Sequence, residues 1–204
     1  MRPAACIAAV PSLKFVTVNV NTLAPKESST GANRKPPNPA KKSVNFAHEL
    51  VLSGRVALLE RDLNAYGIDL VGVQESRMRG SDFIAGDFYD MHIASVTSSG
   101  PHDIQLWIRR VSKVKYLCTI ASSPRMLVAL VKVPGLARPL CCAVGHAPQQ
   151  GNLASIIDNF WEELFDAVVK ATRRAGTGTE LVVLIQRPRG ECQVRLHRRG
   201  PARS

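Results

Sequence analysis

The sequence predicts an α+β layered fold, helix/sheet/sheet/helix in its complete form, and three observations carry that prediction. Strand-type runs dominate the ordered part of the chain. Two amphipathic helical stretches are placed to cover a sheet face. The order of elements reads β-α-β, then an antiparallel meander, then α-β. The chain has 204 residues, about one domain by length, and 45% of them are hydrophobic, the usual share for a packed core. No run of about 18 apolar residues occurs, so no helix is expected to span a membrane.

The elements follow in chain order. Residues 1–12 contain a short apolar part, Ala4 to Val10, at the lower limit for a signal segment, and read as a disordered or lightly packed lead-in. Leu13 to Val20 (LKFVTVNV) alternates and is β-branched, which predicts a strand. Residues 24–46 are rich in Pro, Ser, Asn and Lys and read as a flexible basic insertion. His48 to Tyr66 reads as a helix, with Leu52, Val56, Leu59 and Leu63 at helical spacing and Gly67 as its stop. Asp69 to Gln74 is a short buried strand. Four strand candidates follow (YDMHIAS, DIQLWIRR, RMLVALVKV and PLCCAV), separated by turn residues. A second helix is predicted from about Asn152 to Ala175. Its expected buried face is Leu153, Ile156, Ile157, Phe160, Leu164 and Val168, with acids early and Arg173 and Arg174 late. Glu180 to Ile185 (ELVVLI) is a last buried strand, and residues 186–204 read as a disordered Arg-rich tail.

Charge sits in the irregular parts. The formal net charge is +11, of which the insertion 24–46 carries +4 and the tail +5, leaving +2 for the rest. A polyanion partner such as DNA is compatible with this, but through segments that contact phosphates without sequence selectivity. Solvated charge runs without a role fit equally well. The five cysteines are scattered, odd in number and form no C-x-x-C pair. They read as thiols without a disulfide partner in an intracellular protein, nuclear or cytoplasmic.

Polar residues cluster where strands end. Asn19 and Asn21 close the first strand, Gln74 and Glu75 the second, and His146 the PLCCAV run. Strand ends collect at one rim of a sheet, where open sheets place their sites. An Asn and a Glu offer hard oxygen ligands suited to Mg²⁺, and a nearby His can move a proton. Together they suggest metal-assisted hydrolysis of a phosphoester. Each residue also has a plain reading: Asn19 as a turn former, Glu75 as a loop acid, His146 as a satisfied loop histidine.

Five segments taken in order resemble the endonuclease/exonuclease/phosphatase superfamily. They are Val18 to Leu23 (VNVNTL), Gly67 to Arg77 (GIDLVGVQESR), Ser123 to Arg125 (SPR), Gly145 to Pro148 (GHAP), and the second helix with ELVVLI. The resemblance covers roughly Leu13 to Ile185 and is nearest to the endonuclease branch of non-LTR retrotransposons. It implies a deoxyribonuclease-like four-layer α/β-sandwich, a Mg²⁺ or Mn²⁺ cofactor and a DNA substrate. It implies that Asn19 and Glu75 hold the metal, that Arg77 and Arg125 face phosphate, that Asn21 lies beside the site, and that His146 assists the leaving oxygen.

The sequence departs from the family after ELVVLI. The family pattern there supplies an Asp and an Asn, whereas this chain reads QRPRGECQ from Gln186. A one-base shift of degenerate codons past Ile185 permits an Asn-Ala-Arg-like continuation, so residues 186–204 are expected to be out of frame. The expected fold is therefore a truncated sandwich, the first half to two-thirds of the domain over residues 13–185, with an apolar sheet face left bare. The expected function is a DNA endonuclease lineage of retroelement origin that is inactive in this chain. The alternatives are a non-catalytic remnant that binds nucleic acid weakly through its insertion and tail, and an unrelated α+β binding module.

Overall fold

A computed structural model describes residues 13–20, 54–76, 83–94, 104–149, 151–176 and 178–185, together with the backbone of 186 and 192–197. The insertion 24–46 and the lead-in 1–12 lie outside the described residues. So does the 48–53 part of the first predicted helix.

The first sheet contains β1 (Phe15–Asn19), β2 (Leu70–Gln74), β3 (Phe83–Ala85), β4 (Tyr89–Ile93) and β5 (Ile104–Arg109), in the order β1-β2-β5-β4-β3. Helix α1 (Arg55–Ala65) connects β1 to β2, and those two strands run parallel. The second sheet contains β6 (Lys115–Ser123), β7 (Met126–Lys132), β8 (Leu140–His146), β9 (Leu181–Gln186) and β10 (Cys192–His197), in the order β10-β9-β8-β7-β6. Helix α2 (Ala154–Ala175) connects β8 to β9, which are also parallel. Among the described residues, no helix is long and apolar enough to cross a membrane.

Three apolar layers hold these elements together. Between the sheets lie Leu70, Leu106, Ile108, Leu127, Leu140, Val144, Val182 and Leu184. Val56 and Leu63 of α1 cover Val71, Val73, Met91 and Trp107 on the outer face of the first sheet. Phe160, Leu164, Ala167, Ala171 and Ala175 of α2 cover Met126, Val128, Cys141 and Ala143 on the outer face of the second. All four layers are thus formed by the described residues.

This corrects the expectation of a bare sheet face. The four strands read as one meander divide between the sheets: Tyr89–Ile93 and Ile104–Arg109 belong to the first, Met126–Lys132 and Leu140–His146 to the second. A short 3-10 turn at Arg110–Ser112, followed by Lys113 in the left-handed conformation, carries the chain across. Each sheet then serves as the other's partner.

Three strands were not foreseen. β3 has only three residues. β6 lies at an edge, and two register shifts break its period. β10 falls inside the tail expected to be disordered, where it pairs antiparallel with β9. Its sequence, CQVRLH, alternates apolar and polar residues, a strand pattern that the surrounding arginines obscured. The buried stripe of α2 also differs from expectation. Leu153 and Ile156 are exposed, and the stripe continues through Ala167, Ala171 and Ala175, whose small side chains let the last turns approach the sheet.

Two sheets meet at one side through a ring stack. His92 of β4 lies flat on Tyr116 of β6, with centroids 3.6 Å apart and planes inclined by 6°. Burial pushes the His92 imidazole down from 6.5 to about 4, against the smaller upward pull of Asp90. An unfolded histidine binds its proton near 6.5, so the native state loses stability as pH falls from about 6.5 to about 4 and no further below that. His146, also held below its ordinary value, acts in the same direction. His92→Phe keeps a ring on Tyr116 and removes one titration. Thermal midpoints measured from pH 7.5 to 4 should therefore fall less steeply for this variant than for the parent.

Candidate functional site

β1 and β2 run parallel in register, with Asn19 opposite Gln74 and the Val20 N–H donating to the Gln74 carbonyl at 3.1 Å. Their C-terminal ends therefore lie at the same rim. Inner-face residues alternate along β2: Leu70 joins the inter-sheet core, Gly72 meets the second sheet, and Gln74 is fully buried. The Gln74 amide nitrogen donates to Thr17 Oγ1 at 2.5 Å on β1 and to the Leu184 carbonyl at 3.5 Å on β9. Gln74 Oε1 is buried and accepts no hydrogen bond among the described residues.

The chain then turns sharply. Glu75 has φ 58°, in the left-handed region that a residue with a Cβ seldom occupies. Its carboxylate reaches across to the second sheet, where Oε1 lies 3.5 Å from Nε2 of His146. That separation is a polar contact longer than a short hydrogen bond. His146 ends β8, and its backbone N–H donates to the Arg125 carbonyl at 2.9 Å. Arg125 lies in the turn between β6 and β7, its own N–H donating to Ser123 Oγ at 3.3 Å. Gly145 leaves room here for the Phe160 ring of α2, which would stand 3.3 Å from an added Cβ.

The electrostatics of His146 follow from this packing. Burial lowers its affinity for a proton, Glu75 raises it, and the Arg125 guanidinium lowers it again. The net direction is downward, which favours the imidazole over the imidazolium.

Of the six residues proposed from sequence, the structure gathers Asn19, Glu75, Arg125 and His146 at one rim. Asn21 and Arg77 lie outside the described residues. The polar residues that anchor the rim (Thr17, Ser76 and Gln105) were not singled out. Their signal was available: a Gln in the middle of an apolar strand, and a Ser after the Glu.

The donor chemistry permits a hard cation with few protein ligands. Glu75 offers one carboxylate and Asn19 one amide oxygen, a set that suits Mg²⁺, which keeps several waters and takes one or two carboxylates. No group of three His, Cys, Asp or Glu side chains converges among the described residues. Glu75 and Asn19 are the residues of this rim with oxygen atoms that could contribute to such a site. Cys141 and Cys142 are not candidates: both are buried thiols, and burial pushes Cys141 up to about 12 and Cys142 in the same direction.

The chain is similar in structure to several solved proteins. The human Nocturnin catalytic domain is 13% identical, with 65% of this chain and 56% of that chain covered and a TM-score of 0.44. A humanised D. rerio TDP2 is 16% identical, with 85% and 61% covered and a TM-score of 0.48. The endonuclease domain of TRAS1, a telomere-specific non-LTR retrotransposon, is 8% identical, with 85% and 58% covered and a TM-score of 0.49. At these identities the likeness is one of fold alone. The chain spans little more than half the length of these structures. No family model and no curated protein matches the sequence.

Proposed function

We propose that the rim of Asn19, Glu75, Arg125 and His146 is a metal-dependent phosphodiester hydrolase site of the endonuclease/exonuclease/phosphatase kind, directed at DNA. We propose further that this chain is of retroelement origin and has little or no turnover. The observation that carries the reading is the Glu75–His146 pair. A carboxylate on one sheet and an imidazole on the other face each other at 3.5 Å, with the carboxylate carried there by a left-handed backbone.

Each residue has a task in such a site. A divalent cation at Glu75 and Asn19 would neutralise phosphate charge and acidify a bound water. The Arg125 guanidinium offers parallel donors for two phosphate oxygens. As an imidazole, His146 can hold a proton at one ring nitrogen and accept at the other, the property needed beside a leaving oxygen. Glu75 orients that ring.

The low turnover follows from what succeeds β9. The resemblance implies an Asp and an Asn there, and this chain carries Gln186, Arg187, Pro188 and Arg189. Members of a cooperating catalytic set are strongly non-additive, so loss of one removes most of the rate. The alternative is a non-catalytic binder that uses only the basic segments 24–46 and 186–204.

Two measurements on the full chain separate these readings. Mn²⁺ binding followed by electron paramagnetic resonance should show one weak site that Glu75→Gln abolishes. A chain whose Mn²⁺ binding is indifferent to Glu75→Gln has no such site. Nicking of supercoiled plasmid in Mg²⁺ should stay near background. Robust cleavage abolished by both Glu75→Ala and His146→Ala would instead reveal a complete catalyst.

A further inference from the structure

The residue after Glu75 begins a buried polar chain that leads away from the rim. Ser76 is fully buried, and its hydroxyl accepts from the Gln105 side-chain amide at 2.8 Å. Gln105, also fully buried, accepts at its Oε1 from the Trp107 indole N–H at 2.6 Å. Trp107 is locked in the core beneath α1 with Val71, Val73 and Met91. The two donors run in one direction, Trp107 to Gln105 and Gln105 to Ser76.

We infer that Ser76, Gln105 and Trp107 are positioning residues that hold Glu75 in its left-handed conformation, with its carboxylate aimed at His146; the inference rests on the hydrolase reading of the rim. Glu75 is clamped from both sides. Gln74 before it is pinned to β1 and β9 across the inter-sheet core, and Ser76 after it is pinned to β5 on the opposite face of the same sheet. Two anchors on opposite faces, one residue apart on either side, over-determine the peptide between them. A strained backbone persists only where its surroundings do this. The placement has a chemical reason. An extended Glu75 would continue the alternation of β2 and carry its carboxylate away from the second sheet, whereas the left-handed turn brings it over to β8. Gln105 costs a polar group in an apolar strand, and a hydrogen bond at each end offsets that cost.

The test uses the full chain and reads the site without requiring catalysis. A nuclear Overhauser effect between the Glu75 side-chain methylene protons and the His146 ring reports the contact directly. Ser76→Ala should lose that effect and bind Mn²⁺ about 10-fold more weakly, the scale on which residues supporting a metal ligand act. Ser76→Thr, which restores a hydroxyl, should recover both signals. Circular dichroism melts distinguish lost aim from lost fold. If Ser76→Ala does not fold, Trp107→Phe removes the donor at the far end while keeping a ring in the core, and the same losses are expected. Persistence of the Overhauser effect at full strength in the folded variants overturns the inference. A parent chain that shows the effect but binds no Mn²⁺ overturns the hydrolase reading and leaves the positioning role standing.

Discussion

Gly72→Val should separate the two sheets at their centre and destabilise the protein by about 1–3 kcal/mol, or more if the backbone cannot shift. A Cβ added at Gly72 would lie 2.9 Å from Leu184 Cβ and 2.9 Å from Val144 Cγ1, closer than real Cβ contacts. Both neighbours are fully buried strand residues of the second sheet, so neither can swing into solvent. The absence of a side chain is therefore what lets β2 approach β8 and β9 closely. Gly72→Ala should show a smaller loss and Gly72→Val a larger one, measured by urea denaturation. The loss should be non-additive with Val144→Ala, which removes one of the two obstructing atoms. The site feels the same change. Gln74, two residues on, reaches the Leu184 carbonyl only because the sheets are this close. Gly72→Ala, if it folds, should thus weaken the Glu75–His146 contact as well. Equal stability of parent and Gly72→Val would mean that the inter-sheet spacing is not set here.

The legibility of this architecture in the sequence divides along physical lines. Buried strands such as Leu70–Gln74 and Leu181–Gln186 announce themselves because both faces are apolar and the runs are short. The two helices do so through three- and four-residue spacing. What sequence periodicity does not carry is which sheet a strand joins. Ile104–Arg109 and Met126–Lys132 look alike as apolar runs, yet they lie in different sheets. The decision is made by the turn at Arg110–Ser112 and by tertiary packing. The rim was legible as strand ends, since Asn19, Glu75 and His146 each follow an apolar run. Its support was legible only as residue types, a Gln inside an apolar strand and a Ser after the Glu, because the link from Gln105 to the rim is non-local. The hydrogen bond from the Gln105 amide nitrogen goes to Ser76, 29 residues earlier, and only the pairing of β2 with β5 brings them together. Charge misled in the tail, where net positive composition hid the alternation of Cys192–His197.

Glu60→Ala should cost about 2–4 kcal/mol, because it leaves one buried and one part-buried backbone donor unpaired. Glu60 lies on the buried face of α1 at a place where helical spacing calls for an apolar residue, and it is 1% exposed. Its Oε1 accepts the backbone N–H groups of Phe88 at 3.2 Å, just before β4, and of Tyr89 at 3.0 Å, the first residue of β4. Gly86 completes the arrangement: an added Cβ there would lie 2.1 Å from the same oxygen. The carboxylate thus takes the place of a missing strand partner and ties α1 to the β3–β4 turn. Glu60→Gln, which keeps an acceptor, should be milder than Glu60→Ala in denaturant titrations. The two should also differ from the parent in pH dependence. Burial raises the Glu60 proton affinity above its ordinary value of 4.5, and the backbone donors only partly oppose this. A raised native value means that the folded state binds the proton more tightly than the unfolded chain does. The parent should therefore lose stability from this group as pH rises from about 4.5 through the native value, opposite in sign to the histidines. Glu60→Gln removes that slope. If Glu60→Gln instead showed the same slope between pH 4.5 and 7, the carboxylate would not be the group that titrates, and Glu60 would hold the turn by packing alone.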